Sequence, residues 1–254
     1  MTRIGTRYTI YTLLLSRVTL KVVFLGARVM RYKAILFDLD GTLVDSIPDI
    51  AQGTNAMLLD LGFKPLSQEL ISTFVGRGTD HLVWLSLKYV TQQTDITPEL
   101  LHKAQQRFVV HYSSQTKNSI SRVFPGVIEG LSLFQKAGCK LALVTNKPMR
   151  YVPDLLQLMQ IEHYFKVVVG GDSCAEKKPN PLPFLYACEQ LNVKPKDALV
   201  IGDSSNDSIA AQRAGIDVLL VPYGYNEGKN VHDLNCNGIV CSIVEAAHWA
   251  AQAK

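Results

Sequence analysis

Lys33–Ser46 reads Lys-Ala-Ile-Leu-Phe-Asp-Leu-Asp-Gly-Thr-Leu-Val-Asp-Ser. Ala34, Ile35, Leu36 and Phe37 form a short unbroken apolar run, the composition of a strand buried on both faces of a parallel sheet. The run stops at Asp38 and Asp40, whose side chains share a side because strand side chains alternate with period two. Gly41 and Thr42 then bend the chain away. Open parallel sheets keep their ligand crevices at the carboxyl ends of their strands, where this pair falls. Two close like charges there are costly unless something positive sits with them. Taken alone, Asp-x-Asp-Gly also suits an ordinary acidic turn, so the rest of the chain has to decide.

Four further apolar runs follow at intervals: Leu141–Val144, Val167–Val169, Ala198–Ile201 and Val218–Val221. Helical segments separate them. One carries Val127, Leu131 and Phe134 and stops at Gly138; another runs through Ala210, Ala211 and Ala214 and stops at Gly215. Five apolar strands alternating with helices predict an α/β fold, a doubly wound parallel sheet. Four of the five end in polar or charged residues: Asp38, Thr145-Asn146-Lys147, Gly170-Gly171-Asp172 and Gly202-Asp203.

Between the first strand and the rest lies a stretch of helical pattern. Ser46 with Asp49 three residues on, and Pro48 in the first turn, resembles a helix start. Ile50, Met57, Leu58 and Leu61 would share one face, Leu82, Leu85 and Tyr89 another, and Leu101, Ala104, Phe108 and Tyr112 a third. The polar run Ser113–Arg122 looks like a linker. The expected organisation is a catalytic core from residues 30–46 and 119–254, with an all-helical cap domain, residues 47–118, inserted after the first strand.

The chain has 254 residues, 47% of them hydrophobic and 19% charged, which fits one large domain or a domain with an insertion. Its net charge is +4, but Arg3, Arg7, Arg17, Lys21 and Arg28 lie in residues 1–29 without an acid, leaving −1 elsewhere. The body is therefore not a basic nucleic-acid surface. Charges interrupt the apolar residues of 1–29 too often for a membrane span. A signal peptide would lack its small-residue cleavage site, and an Arg-rich, acid-free stretch also suits an organelle transit peptide. The preferred reading starts translation at Met30 and leaves residues 1–29 outside the fold. Five cysteines without a Cys-x-x-Cys, among six scattered histidines, suggest neither a zinc site nor a disulfide framework. A cytoplasmic setting fits.

Gly202-Asp203-Ser204-Ser205-Asn206-Asp207 is a second acidic cluster. Asp207 could be a helix N-terminal charge acting on the dipole, which leaves Asp203 unexplained. Four carboxylates (Asp38, Asp40, Asp203, Asp207) converging on one sheet edge call for a hard cation, and oxygen-only ligands select Mg²⁺ or a similar ion. Thr145 at a strand end could bind a phosphoryl oxygen beside backbone N–H groups, and Lys178 could add positive charge. Each also has a plainer reading, as a helix cap or a surface lysine. Pro179 and Pro181 make Lys178 more rigidly placed than Lys177.

Asp38-Leu-Asp-Gly-Thr, Thr145-Asn, Lys178-Pro and Gly202-Asp203-x-x-x-Asp207, in this order at strand ends, resemble the four motifs of the haloacid-dehalogenase-like (HAD) hydrolases. The resemblance runs from about Tyr32 to the C-terminus. It implies a Rossmann-like core with an inserted cap, Asp38 as nucleophile, Asp40 as general acid/base, and Thr145, Asn146 and Lys178 as phosphate-binding residues. It further implies Mg²⁺ held by Asp38, Asp203 and the main-chain carbonyl of Asp40, with Asp207 supporting from behind. Val144-Thr-Asn-Lys-Pro148, Lys177-Lys-Pro-x-Pro181 and Tyr223-Gly-Tyr-Asn226 are similar to the branch that hydrolyses phosphoglycolate, which implies 2-phosphoglycolate as substrate; the expected assembly is a monomer or homodimer.

Asp40 speaks for phosphate-ester chemistry, since releasing a halide needs no second aspartate. A sugar phosphomutase or another small phosphate ester remains the alternative, although the cap loop Phe74–Thr79 looks like the phosphatase. The same loop could be only a glycine-rich turn. A dead-site binding protein would have lost Asp38, Asp40 or Lys178. Gly224–Lys229 is one residue short of a nucleotide-binding P-loop. Arg77, between Gly76 and Gly78, is the cap cation expected to set substrate specificity.

Overall fold

A computed structural model describes residues 30–93, 95–114 and 119–252. The expectation for residues 1–29 lies outside them. The first strand, β1 (Ala34–Phe37), is followed by β2 (Val44–Asp45) and by four helices: α1 (Ile47–Asp60), α2 (Gln68–Ser72), α3 (Thr79–Thr91) and α4 (Pro98–Ser114). Then come β3 (Arg122–Val123), α5 (Val127–Lys136), β4 (Lys140–Val144), α6 (Val152–Leu158), β5 (Val167–Val169) and α7 (Leu182–Gln190). The chain finishes with β6 (Ala198–Gly202), α8 (Ser205–Ala214), β7 (Asp217–Leu220), β8 (Gly238–Ile239) and α9 (Ile243–Ala250).

Among the described residues the main sheet has six strands in the order β5-β4-β1-β6-β7-β8, every neighbouring pair parallel. The opening stretch thus supplies the central strand, flanked by β4 and β6. Its alternation sorts the core. Ile35 and Phe37 join the cluster with Leu131 and Phe134 of α5 and Ile243 of α9. Ala34 and Leu36 join the opposite one, with Phe184 of α7 and Ala210 of α8. All four β1 residues are fully buried, as a strand covered by helices on both faces requires.

Two strand pairings escape the apolar-run criterion. β8 adds a sixth strand beyond the five expected, through only two residues and without an apolar run. β2 and β3 pair antiparallel, Val44 with Val123 and Asp45 with Arg122, so the chain enters and leaves the helical segment side by side.

Helices α1–α4 build their own core, with Met57, Leu58, Ile71, Leu87 and Phe108 buried in it. Two local expectations change here. Helix α3 buries Leu82, Val83, Ser86 and Leu87, while Tyr89 is 47% exposed. The packed face therefore keeps Leu82 of the expected Leu82–Leu85–Tyr89 stripe but turns toward Val83 and Leu87, leaving Tyr89 outside. Helix α1 does start after Ser46, with Pro48 and Asp49 in its first turn as expected, but the Ser46 side chain makes no cap bond. Its hydroxyl donates instead to Asp40, and Asp49 accepts from the Ser119 and Ser121 hydroxyls and from the Ile120 amide. Burial pushes Asp49 up, but those hydrogen bonds outweigh it and hold the carboxyl below its usual range. Among the described residues no helix is long and apolar enough to cross a membrane.

Candidate active site

The carboxyl ends of β1, β4 and β6 bring the acidic cluster together. Asp38 leaves β1 still tied to the sheet, its amide donating to the Ile201 carbonyl at 3.0 Å. Asp203 follows β6, and Asp207 sits in the first turn of α8. There Asp207 Oδ2 accepts from the Ser204 amide and hydroxyl, closing a capping box. One oxygen each from Asp38, Asp203 and Asp207 can lie within 4.8 Å of one another, all three residues buried.

Lys178 bridges two of them. Its Nζ donates to Asp38 Oδ1 at 2.8 Å, to Asp207 Oδ1 at 2.7 Å and to the Val144 carbonyl at 2.8 Å, so all three ammonium protons are placed. Burial alone would lower this lysine's pKa; the carboxylates of Asp207 and Asp38 overcome that and raise it, keeping the ammonium charged. Burial pushes Asp38 up to about 6, with Lys178 opposing and Asp207 and Asp40 adding to the rise. Asp203 is raised well above the carboxylate range by burial and by Asp38 and Asp207. Three carboxylates beside one ammonium leave net negative charge in a dry site, which a divalent cation with oxygen ligands would offset. The donor set fits Mg²⁺ on that ground.

Asp203 is held from the far side. Oδ1 accepts from Thr42 Oγ1 at 2.9 Å and Oδ2 from the Tyr225 amide at 2.5 Å. Gly224 must be glycine, because a Cβ there would lie 2.3 Å from Asp203 and 2.4 Å from the Gly41 carbonyl.

Asp40 has its own cation. Lys147 Nζ lies 3.1 Å from both of its oxygens, and Ser46 Oγ donates at 2.5 Å. The Lys147 side chain is only 4% exposed and stands 5.0 Å from the centre of the Tyr112 ring. Asp40 and Tyr112 hold it charged against the pull of burial. In the sequence Lys147 stands out only as part of the Thr145-Asn146-Lys147 strand end. Nothing in its spacing marks it, because helix α4, far away in the chain, supplies the ring that buries it.

Thr145 is buried next to Asp38 and Asp40 in one pocket, walled by Ile50, Val75, Leu82 and Phe108. Asn146 also lines it, but its side chain is committed: Oδ1 accepts from the Lys178 amide, and Nδ2 donates to the carbonyls of Lys178 and Gly76. It pins the lysine's backbone to the loop before α3. Arg77 is not brought into this group. Its guanidinium pairs with Glu227 at 2.8 Å, its side chain is 49% exposed, and only its neighbours Gly76 and Gly78 line the pocket.

The model of the haloacid dehalogenase-like hydrolases matches residues 35–221, which contain all of these side chains except Tyr225 and Glu227. The chain belongs to that family. Within the haloacid dehalogenase-like hydrolases, it is 44% identical over 216 residues to the phosphoglycolate phosphatase of Nitrosospira multiformis, covering 84% of this chain and 93% of the relative. It is 43% identical over 208 residues to the phosphoglycolate phosphatase of Psychrobacter arcticus, covering 81% and 90%. Among solved structures of the family, one from Haemophilus somnus, described as a predicted phosphoglycolate phosphatase, superposes with a TM-score of 0.82 at 35% identity, covering 86% of this chain and 98% of that one.

Proposed function

We propose that the chain is a cytoplasmic, Mg²⁺-dependent phosphatase that hydrolyses 2-phosphoglycolate to glycolate and phosphate. One observation carries this reading: a single pocket holds Asp38, already bridged by a buried lysine, and Asp40, separately held by Ser46 and Lys147. The names of the relatives support the choice of substrate. The cap would comprise residues 47–118 and the core residues 30–46 and 119–254.

In this reading Asp38 attacks phosphorus, the ester P–O bond breaks, and an aspartyl-phosphate forms. Asp40 gives its proton to the departing glycolate oxygen. It then takes a proton from water as that water attacks the phosphorus of the intermediate, releasing phosphate and restoring Asp38. Lys178 reduces the repulsion between Asp38 and an incoming phosphate dianion, and Thr145 would hold one phosphoryl oxygen. Asp38, Asp203 and the Asp40 carbonyl would hold Mg²⁺, which when bound neutralises charge developing on the phosphoryl oxygens. Asp207 keeps Lys178 in place.

The carboxylate of phosphoglycolate needs a donor in the same pocket. Lys147, buried and lining that pocket, is better placed for it than Arg77. Phosphate release from 2-phosphoglycolate, hexose phosphates, nucleotides and pyrophosphate tests the reading. Turnover dominated by 2-phosphoglycolate, dependent on Mg²⁺ and lost in Asp38→Asn is expected. Wild-type turnover in Asp38→Asn would remove the nucleophile assignment, and preference for a hexose phosphate would remove the substrate.

A further inference from the structure

The loop Tyr223–Glu227 lies after β7, outside every strand end that carries the proposed chemistry, yet it reaches both the acidic cluster and the root of the helical segment. Its backbone reaches the acidic cluster: the Tyr225 amide donates to Asp203 Oδ2. The Tyr225 side chain leaves in the other direction, into the core of the helical segment, where it is 9% exposed among Ile47, Ile50 and Val75. At the tip of that side chain, the hydroxyl donates to Asp45 Oδ1 and accepts from the Ile47 amide at 3.1 Å. Asp45 belongs to β2 and Ile47 opens α1, so this hydroxyl grips the point where the chain enters the helices. The ends of the loop are fastened as well. Tyr223 Oη donates to the Thr42 carbonyl at 3.0 Å, and Glu227 pairs with Arg77 of the loop preceding α3.

A phenol with both its donor and acceptor functions used at a junction of two structural units is a rigid strut. One end of this residue carries a charge-assisted bond to a carboxylate that faces two others; the opposite end carries another to Asp45. The packing there is also close: a Cβ at Gly41 would lie 2.4 Å from Asp203 and one at Gly224 2.3 Å from it.

We propose that Tyr225 is a positioning residue that couples the cation-binding carboxylate Asp203 to the seating of the helical segment, so that filling the acidic cluster with Mg²⁺ tightens the root of α1. This rests on the reading of that cluster as a Mg²⁺ site. Coupling of this kind is reciprocal: what seats the helices also strengthens cation binding. A wholly structural tyrosine would stabilise the chain equally with and without Mg²⁺.

Amide hydrogen exchange of the full chain, with and without MgCl₂ and without substrate, separates the cases. The Ile47 amide is itself bonded to the Tyr225 hydroxyl and is the direct reporter. Tyr225→Phe removes only the oxygen, keeping the ring packing and the backbone bond to Asp203. In the parent chain Mg²⁺ should slow exchange at the start of α1 about tenfold or more, the scale of one charge-assisted hydrogen bond. In Tyr225→Phe that slowing should fall below about twofold, while amides around Asp203 keep theirs. Asp45→Asn, which leaves the ring and hydroxyl in place, should give an intermediate loss. Equal Mg²⁺-dependent protection of α1 in parent and Tyr225→Phe overturns the coupling. Protection confined to the acidic cluster in the parent also overturns it and leaves the Mg²⁺ reading intact. No Mg²⁺-dependent protection anywhere overturns both.

Discussion

Lys147→Met is the substitution that tests substrate recognition most directly. The methionine keeps the length and burial of the lysine stem and removes only the ammonium. In the absence of substrate that ammonium lies 3.1 Å from both Asp40 oxygens, with both side chains largely shielded from water, at 4% and 13% exposure. A hydrogen bond to a charged group in such a site is worth about 1.5–3 kcal/mol, or roughly 10- to 150-fold in kcat/KM. The loss has two parts. Asp40 loses its cation whatever the substrate, so every phosphate ester should suffer. If Lys147 also meets the substrate carboxylate, 2-phosphoglycolate should lose a further tenfold or more relative to ethyl phosphate, which lacks that group. The assay is phosphate release under kcat/KM conditions on both esters, with melting temperature as the check on folding. Loss of the same factor on both, within about twofold, would show that Lys147 serves Asp40 alone and that the carboxylate is bound elsewhere.

Arg77→Ala should cost both esters equally and less than about fivefold, because its half-exposed pair with Glu227 is of the surface kind; a loss confined to 2-phosphoglycolate in the same assay would restore it as a specificity residue. Asp38→Asn should abolish turnover and, in chelator at pH 8, melt no lower than the parent: Asp38 has its folded pKa raised to about 6, so its ionised form works against folding once pH exceeds its ordinary value. A clearly lower melting temperature would contradict that sign. Asp49→Asn acts oppositely. The folded pKa of Asp49 is lowered, so its contribution is present above the ordinary value of about 4 and fades as pH falls through the lower folded one. Urea midpoints of parent and variant should differ at pH 7 and converge below about pH 4; a gap that persists would mean the hydrogen bonds there do not depend on the charge.

How much could be read in advance follows the physics of each element. β1, β4 and β6 are covered on both faces, so their runs are continuously apolar and stop sharply, leaving Asp38, Thr145 and Asp203 visible at their ends. β8 is two partly buried residues held by their neighbour, and two residues carry no period. Lys178 was legible beside Lys177 through its flanking prolines, which act locally. Lys147 owes its place to Tyr112 of α4, and Tyr225 to Asp45 and Asp203; these partners are distant in the chain and leave no local pattern. Arg77 shows the converse. Its place between two glycines of the cap loop makes it the expected specificity cation, and those glycines do line the pocket, but the side chain between them turns to Glu227.

The position of β1 has a consequence for how the molecule is made. It emerges from the ribosome before any other strand of the sheet, yet it ends as the central one, between β4 at residues 140–144 and β6 at residues 198–202. Until both have been synthesised, four residues destined to be fully buried have at least one open edge. The helical segment, whose contacts are mostly among its own neighbours, can form meanwhile. A growing chain would therefore carry a folded helical unit beside a sticky, unsatisfied strand for most of its synthesis. Chains stalled or cleaved before residue 198 should then be the ones that aggregate or recruit chaperones, and the exposure ends only when β6 pairs with β1 and brings Asp203 to Asp38.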